Sequence, residues 1–230
     1  MNIQPDISNV NIVTVSGQYG SSSDKIATLL AARLRWRLIG DNIKRLVADK
    51  LGLPEEEVAV HDQHMYSFAD RFLLCMAATT IEMCPDLECV ALATKTEPLY
   101  HAVQQQMIRE IAQTGNVVIV GRGSQVILAD QYNVLHVRVI APLEQRVHYV
   151  MQREQLDAAH AQALLRRKDR ALAYYYTSLH GRAVSDPLLY DLVINGGAFN
   201  LENQVDLICQ ALRQKDYQSD NMAEQWKIVS

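Results

Sequence analysis

The sequence predicts an α/β fold in three layers, with helices on both faces of a parallel β-sheet. Strand-like and helical stretches alternate along the 230 residues. Three strand-like stretches, residues 12–15, 116–120 and 134–140, are almost continuously apolar. Such runs are typical of strands that are buried on both faces, as in parallel sheets covered by helices. The length and a hydrophobic content of 49% fit one large domain, or a core with an inserted subdomain.

Charge and cysteine usage narrow the class of protein. The net charge is −4 and the chain has no block of lysine and arginine, so non-specific binding to nucleic acid is not expected. No apolar run approaches the ~20 residues of a membrane span, and the first residues lack the features of a signal peptide. We therefore expect a cytoplasmic protein without a membrane partner. The cysteines, interpreted as reduced thiols without a C-x-x-C pair, are Cys75, Cys84, Cys89 and Cys209.

The regular structure is predicted to begin with a strand, a short loop and a helix. The strand covers about residues 10–15 and the helix about residues 22–36. Gly17 and Gly20 allow backbone conformations and a close approach that a side chain would block. The N–H groups at a helix start lack partners and carry partial positive charge, so this arrangement can hold a phosphate. The candidate phosphate-binding residues are Gly17, Gln18, Tyr19, Gly20, Ser21, Ser22, Ser23 and Asp24.

The loop matches the phosphate-loop pattern G-x-x-x-x-G-K-[ST] only in part. With Gly17 as the first glycine, Ser22 takes the second glycine position, Ser23 the lysine position and Asp24 the Ser/Thr position. Asp24 is also a suitable capping residue, and capping would occupy N–H groups that a phosphate needs. Lys25 follows the lysine position too late, by two residues, and the helix turns it away from the direction of a lysine at position 23. The stretch alone is compatible with a phosphate site and with an ordinary strand–turn–helix.

Between residues 38 and 115 the chain is predicted to be mostly helical. Residues 38–41 form a short apolar piece that ends in a turn. A stretch rich in Met, Cys and Ala follows further on, and its apolar face is interpreted as core or as a surface for a partner helix. The helices with clear bounds lie at residues 42–51 and 97–114.

The second half of the chain again alternates strands and helices. The strand at 116–120 leads directly into Gly121-Arg122-Gly123. Ligands bind outside the carboxyl ends of the strands in parallel sheets, so the two glycine-containing loops are expected to converge on one site. Residues 215–230 are polar and are expected to be disordered or bound to a partner. The other predicted elements are strands at 134–140 and 190–194 and helices at 124–128, 143–153, 157–178 and 201–213.

Four stretches of the chain resemble the cytidylate-kinase-like family of phosphate-loop nucleoside monophosphate kinases. They are TVSGQYGSSSDKI (14–26), NVVIVGRG (116–123), VLHVRVIAPLEQR (134–146) and DPLLYDLVING (186–196). The Gly-Arg-Gly after a buried strand, followed by a strand and Ala-Pro-Leu-Glu, is the most specific of them. The resemblance extends over essentially the whole chain, and it rests on the order and spacing of the motifs.

The resemblance implies a P-loop NTPase type of core with two mobile parts. The core would comprise about residues 10–37, 111–154 and 186–214, followed by a tail at 215–230. A helical insertion at about 38–110 would hold the acceptor, and a helical lid at about 155–185 would close over the donor. The implied reaction is transfer of the γ-phosphoryl group from ATP to a nucleoside monophosphate, with Mg²⁺ as cofactor and CMP as the favoured acceptor.

For the acceptor site, the resemblance implies that Arg122 grips the nucleotide. Arginine suits this role because its planar fork binds two phosphate oxygens at once. Asp41 and Arg45 would lie where the acceptor site begins. The alternative for Arg122 is a surface arginine that caps a nearby helix C-terminus.

For the lid, the resemblance implies that Arg170, and then Arg166, meet the transferred phosphoryl group. Lys25 is the remaining catalytic candidate, and no metal-ligating residue is assigned. Asp169 is expected to orient an arginine rather than to act as a base. The alternative is a solvated helix face with ordinary pairs three and four residues apart.

The departures from the family pattern motivate two other hypotheses. Family members usually have Gly-Ser-Gly-Gly and then Arg, where this chain has Gly20, three serines and Asp24. Ser22 would carry a side chain where the loop needs a positive φ. The second hypothesis is therefore a catalytically impaired nucleotide-binding or regulatory protein on the same fold. The third is an interaction protein that forms a homodimer through residues 65–93.

Overall fold

A computed structural model describes residues 10–51 and 87–229 of the chain. Within them, five parallel strands form one sheet in the order β2-β3-β1-β4-β5, and the predicted α/β fold is confirmed. The strands are β1 (Ile12–Gly17), β2 (Arg37–Ile39), β3 (Val117–Val120), β4 (Val134–Ile140) and β5 (Leu192–Asn195).

Seven α-helices in the described part of the chain connect and cover these strands. They are α1 (Ser23–Leu34), α2 (Ile43–Leu51), α3 (Leu87–Gln113), α4 (Ser124–Ile127), α5 (Leu143–Glu154), α6 (Ala158–His180) and α7 (Leu201–Val229). A short 3₁₀ helix, Pro187–Leu189, precedes β5. None of the helices in the described ranges combines the length and the apolar character that crossing a membrane requires.

The central strand β1 separates two apolar cores because its side chains alternate between the faces of the sheet. On one face, Val13 and Val15 pack with buried residues of α1 and α7 such as Leu30 and Ile208. On the other face, Ile12 packs with buried residues of α2 and α3. The sheet is therefore buried on both sides, as its continuous apolar strands predicted.

The edge strand β2 was not predicted. Residues 38–41 were interpreted as an apolar piece that ends in a turn, but Arg37–Ile39 pairs with β3 in register with residues 117–119. Two residues assigned to the start of the helical insertion thus belong to the sheet. A strand is identified in a sequence by the alternation of apolar and polar residues, and three residues are too few to show this alternation.

The last helix is longer than predicted. Residues 215–229, expected to be disordered or bound to a partner, continue it as a helix, and the binding of a partner stays a prediction. The helix runs from Leu201 through Val229, because no glycine or proline interrupts it after residue 213. Its sixteenth residue, Asp216, accepts a hydrogen bond from the Val10 N–H at 3.0 Å. Lys215 pairs with Asp191 at 2.6 Å. These contacts connect the helix to the residues that precede β1 and β5.

Candidate functional site

The loop between β1 and α1 makes a turn that requires glycine at two positions. A Cβ atom on Gly17 would lie 2.2 Å from the Oγ of Ser23 and 2.8 Å from the Oγ of Ser21. Gly20 has a φ of +80°, and a Cβ atom there would lie 3.2 Å from the Arg146 carbonyl oxygen. Both glycines therefore allow close backbone approach, as the sequence predicted.

The start of α1 has no side-chain cap. Ser22 is the N-cap residue, with a left-handed φ of 63°, and its side chain makes no capping hydrogen bond. The expectation of a positive φ at Ser22 is confirmed. Asp24 lies inside the first turn and is exposed, so the capping role considered for it is wrong. The first N–H groups of the helix thus have no side-chain acceptor, which favours an anion at this end.

Gln18 connects the loop to the carboxyl end of β4. The backbone N–H of Gln18 donates to the Val139 carbonyl oxygen at 3.1 Å. The backbone N–H of Ala141 donates to the Gln18 Oε1 at 3.1 Å. The loop is therefore held on its β4 side by both the main chain and the side chain of one residue.

Arg146, on α5, connects the loop to α6. Its Nη1 donates to the Tyr19 carbonyl oxygen at 3.2 Å and to Asp169 Oδ1 at 3.0 Å, and its Nη2 donates to Asp169 Oδ2 at 2.9 Å. The Arg146 side chain is only 7% exposed. The prediction that Asp169 orients an arginine is confirmed, but the sequence analysis did not single out Arg146. Its spacing of four from the buried Val150 was the available signal, since both lie on the inward face of α5.

The two lid arginines form no hydrogen bond or ion pair with the loop among the described residues. Arg166 and Arg170 are both exposed. Arg166 Nη2 donates to Gln162 Oε1 of the same helix at 3.3 Å, the kind of pair considered as the alternative. A third lid cation, Lys168, has its Nζ 5.8 Å from the centre of the Tyr19 ring in the loop. The catalytic roles of Arg166 and Arg170 stay predictions.

Tyr19 carries a cationic cluster on the outer side of the loop. The guanidinium of Arg153 lies 4.8 Å from the centre of the Tyr19 ring, and the Tyr19 hydroxyl donates to Glu154 Oε1 at 3.0 Å. Burial raises the pKa of Tyr19, so it stays protonated at neutral pH. Hydrogen bonds from Arg153 and Tyr19 lower the pKa of Glu154. Arg153 also forms an ion pair with Glu154 at 2.8 Å, so Arg153, Lys168 and this carboxylate form one charged cluster around Tyr19.

A cavity of about 630 Å³ opens beside the loop, between α1, α5 and the segment that follows β5. Gly20, Lys25, Tyr149 and Phe199 are among its lining residues. The Lys25 Nζ lies 4.8 Å from the centre of the Tyr149 ring, a favourable position for a cation. Lys25 therefore borders the cavity next to the loop, and its catalytic role stays a prediction.

The second glycine-containing loop follows β3 and holds Arg122. Its three residues, Gly121, Arg122 and Gly123, all have positive φ angles, of 64°, 60° and 69°. The Arg122 Nη2 donates to Asp41 Oδ1 at 2.8 Å. The structure thus brings together two of the three predicted acceptor-site residues in an ion pair, and the role of Arg122 stays a prediction. Arg45 lies on α2 and is exposed.

Other predicted features are not tested by the described residues. No group of three or more His, Cys, Asp or Glu residues suited to a metal ion occurs within them. Cys75 and Cys84 lie outside the described ranges, as does most of the predicted dimer face at 65–93. Cys209 is a buried free thiol.

Two named proteins are similar to this chain in sequence. A cytidylate kinase from Archaeoglobus fulgidus is 26% identical over 213 residues, which cover 90% of this chain and 98% of the kinase. A uronate isomerase from Corynebacterium glutamicum is 33% identical over 98 residues, which cover 43% of this chain. The second match spans only 19% of the length of the isomerase.

Two crystal structures share the fold. An uncharacterized protein from Eubacterium ventriosum aligns over 88% of this chain and 98% of its own, with a TM-score of 0.62 and 18% identity. Shikimate kinase from Acinetobacter baumannii, in complex with shikimate, aligns over 89% of this chain and 94% of its own, with a TM-score of 0.50 and 10% identity. The sequence profile of the cytidylate kinase-like family matches residues 12–198, most of the chain, and the protein belongs to that family.

Proposed function

We propose that this protein transfers the γ-phosphoryl group of ATP to a nucleoside monophosphate, with CMP as the favoured acceptor. The observation that carries the proposal is the uncapped start of α1 directly after the glycine turn of β1. Membership of the cytidylate kinase-like family supports phosphoryl transfer of the nucleotide-kinase type. The acceptor follows from the name of the Archaeoglobus fulgidus relative, whose match covers 90% of this chain.

The donor nucleotide would use the loop and the adjoining cavity. Its phosphates would rest on the backbone N–H groups of Gly20, Ser22, Ser23 and Asp24, where the helix dipole adds positive potential. The Ser21 N–H already donates to the Gln18 carbonyl oxygen at 3.0 Å. The base would occupy the cavity of about 630 Å³, with Phe199 and Tyr149 as apolar surfaces. Lys25, at the edge of that cavity, would neutralise part of the phosphate charge.

The carboxylate of Asp24 at the start of α1 would repel bound phosphates unless a cation neutralised the two negative groups. Asp24 is exposed and forms no ion pair in the described part of the chain. Mg²⁺ is commonly held by one or two carboxylates together with substrate phosphates, so Asp24 fits an ion that arrives with the nucleotide. When bound, Mg²⁺ would neutralise charge on the transferring phosphoryl group. The chain's own contribution is to offer this oxygen ligand beside the loop.

The acceptor would bind across the sheet edge at Arg122. The left-handed backbone of residues 121–123 turns the Arg122 side chain toward Asp41, and Asp41 is 88% exposed. A nucleotide phosphate would compete with Asp41 for the guanidinium, because both are anions that fit its fork. Arg45 would add a further cation from α2. The insertion at about 38–110 would supply the remaining contacts of the acceptor.

The lid would bring the catalytic arginines to the reacting groups. Arg166 and Arg170 are exposed on α6, while Asp169 on the same helix is tied to Arg146 and through it to the loop. Closure of residues 155–185 would turn the arginine face of α6 toward the donor.

In the reaction the bond between the γ-phosphorus and the β,γ-bridging oxygen breaks, and a bond to an oxygen of the acceptor phosphate forms. The products are ADP and a nucleoside diphosphate, and the expected location is the cytoplasm.

The second candidate function is a nucleotide-binding or regulatory protein with impaired catalysis. The observation that favours it is the absence of lysine at position 23, where the family pattern has the phosphate-binding cation. Loss of one such contact typically costs about 3 kcal/mol of transition-state stabilisation. Both functions require nucleotide binding, and they differ in whether acceptor-dependent ADP release occurs.

A coupled assay of ADP release tests the proposal. ATP, Mg²⁺ and a panel of nucleoside monophosphates are supplied, with a control without acceptor and a thermal-shift measurement on each mixture. We expect ADP release that depends on CMP and that falls in Arg122→Ala, whereas Arg213→Ala on the exposed face of α7 serves as a matched control. Stabilisation by nucleotides without ADP release would favour the second function. A protein that shows neither ADP release nor stabilisation by nucleotides would overturn both candidate functions.

A further inference from the structure

Arg138, on β4, is a buried cation without an anionic partner. It is 7% exposed. Its Nη1 donates to the Tyr190 hydroxyl at 3.0 Å and lies 3.4 Å from the Ser16 Oγ. No ion pair of Arg138 occurs among the residues that the structure describes, and its Nε and Nη2 donate no hydrogen bond to them.

The groups around Arg138 orient the guanidinium but do not neutralise it. The guanidinium lies 5.2 Å from the centre of the Tyr190 ring. The Tyr190 hydroxyl donates to the Val184 carbonyl oxygen at 2.8 Å and accepts from Gln125 Nε2 at 3.2 Å. Tyr176, which also accepts from Gln125, is neutral because burial raises its pKa to about 12. All of these neighbours are uncharged, so no described residue compensates the charge of Arg138.

An uncompensated buried charge is costly to a folded protein. Buried ions are normally paired with an opposite charge, and removal of one partner of a buried pair is strongly destabilising. A buried arginine with two unused N–H directions is therefore expected where an anion binds during function. The arrangement around Tyr190 fixes the guanidinium in advance, which lowers the entropy cost of binding.

Arg138 lies beside the start of the phosphate-binding loop. It is in register with Ser16, the residue before Gly17, in the pairing of β1 with β4. Its neighbours Gln125 and Tyr176 come from α4 and α6, so it projects from the face of the sheet that these helices cover. α4 begins directly after the loop that carries Arg122. The guanidinium thus lies on the sheet face covered by α4 and α6, next to the last residues of β1 that lead into the loop between β1 and α1.

We propose that Arg138 is a further phosphate-binding residue, whose Nε and Nη2 donate to a nucleotide phosphate bound at the loop between β1 and α1. The inference rests on the proposed function and extends it to a residue that the sequence analysis gave no role. The ligand of Arg138 is a phosphate group, and either the triphosphate donor or the monophosphate acceptor can supply it.

Calorimetric titration of three proteins tests the proposal: the wild type, Arg138→Met and the matched control Arg213→Met. Each is titrated with CMP and, separately, with ADP. Arg138→Met is expected to weaken binding on the order of 10- to 100-fold for the nucleotide whose phosphate contacts Arg138. The nucleotide that is affected identifies the source of the phosphate. Arg213→Met is expected to leave both affinities unchanged.

Melting temperatures without ligand separate binding from a structural role. Methionine has a similar length and no charge, so Arg138→Met is expected to melt at the same temperature as the wild type or higher. A lower melting temperature with both affinities unchanged would overturn the inference while leaving the proposed function intact. Failure of the wild type to bind either nucleotide would overturn the proposed function, and the inference with it.

Arg138→Lys keeps the test decisive if the methionine variant does not fold. Lysine retains the charge but loses the planar fork. We expect unchanged stability with weakened nucleotide binding in this variant. Full wild-type affinity in Arg138→Lys would count against a paired contact of Nε and Nη2 with phosphate.

Discussion

His136 should make the stability of the fold fall as the pH is lowered from 7 to 5. The side chain is 8% exposed on β4, and its Nδ1 lies 2.8 Å from the Thr14 Oγ1. Its Nε2 has no hydrogen-bond partner among the described residues. Burial lowers the pKa of His136 from 6.5 to about 4; the charge of Asp191 opposes this shift and that of Lys215 adds to it. The folded protein therefore holds a neutral imidazole at neutral pH.

The magnitude follows from the two pKa values. The unfolded chain takes up a proton near pH 6.5, whereas the folded chain takes it up only near pH 4. The contribution is fully present above about pH 6.5 and is lost as the pH falls toward 4. The full loss is about 3 kcal/mol, and the part expected between pH 7 and pH 5 is about 2 kcal/mol. His180, whose pKa is also lowered by burial, acts in the same direction.

Urea unfolding at pH 7 and pH 5 measures this loss directly. In His136→Asn the side chain cannot titrate, but its oxygen can still accept from Thr14, so the loss should shrink by about 2 kcal/mol. His148→Asn, which changes an exposed histidine, is the matched control and should behave as the wild type. An equal loss in the wild type and in His136→Asn would refute the reasoning, because it would show that His136 is not the group that titrates.

Three further predictions concern the phosphate-binding loop. Gly17→Ala should destabilise the protein by about 2 kcal/mol or more in urea unfolding, since the new Cβ would overlap Ser23; an unchanged midpoint would contradict this. Ser22→Gly should stabilise it by about 0.5–1 kcal/mol, because glycine adopts the φ of 63° without strain; a loss of stability would argue against the left-handed conformation. Asp169→Asn should cost about 1–3 kcal/mol, less than a fully buried pair because Asp169 is 35% exposed, and Arg146→Met/Asp169→Asn should regain part of it. Equal stability of the single and double variants would show that the pair is not coupled.

The central strands of the sheet were predictable because their burial is recorded in the sequence. β1, β3 and β4 are apolar along nearly their whole length, and only strands covered on both faces have that composition. The positions of the two glycine loops followed from the same reasoning, because parallel strands place their carboxyl ends together. The contact of Arg122 with Asp41 is a consequence of that placement.

The features that were missed depend on tertiary contacts. β2 has only three residues, and it is a strand because β3 offers it an edge. The extension of α7 past residue 213 is supported by contacts of Lys215 and Asp216 with distant residues. Arg146 and Arg138 were missed because their importance follows from burial. The helical periodicity of α5 only suggests that Arg146 is buried. On β4, which is buried on both faces, the sequence pattern does not indicate the direction of the Arg138 side chain.

The loop between β1 and α1 has the backbone shape of a phosphate site but lacks the positive charge of the usual pattern. The shape is retained: the glycines at 17 and 20 and the left-handed Ser22 leave the start of α1 uncapped. The charge is not supplied within the loop, where Ser23 and Asp24 replace the pattern's lysine and hydroxyl residue. Phosphoryl transfer depends mainly on positioning and charge neutralisation, so an active enzyme must take its cations from outside the loop. Arg153 and Lys168 beside Tyr19, Lys25 over Tyr149 and the buried Arg138 surround the loop on different sides. Activity in this protein therefore depends on whether these cations can converge on a bound nucleotide, rather than on the loop sequence alone.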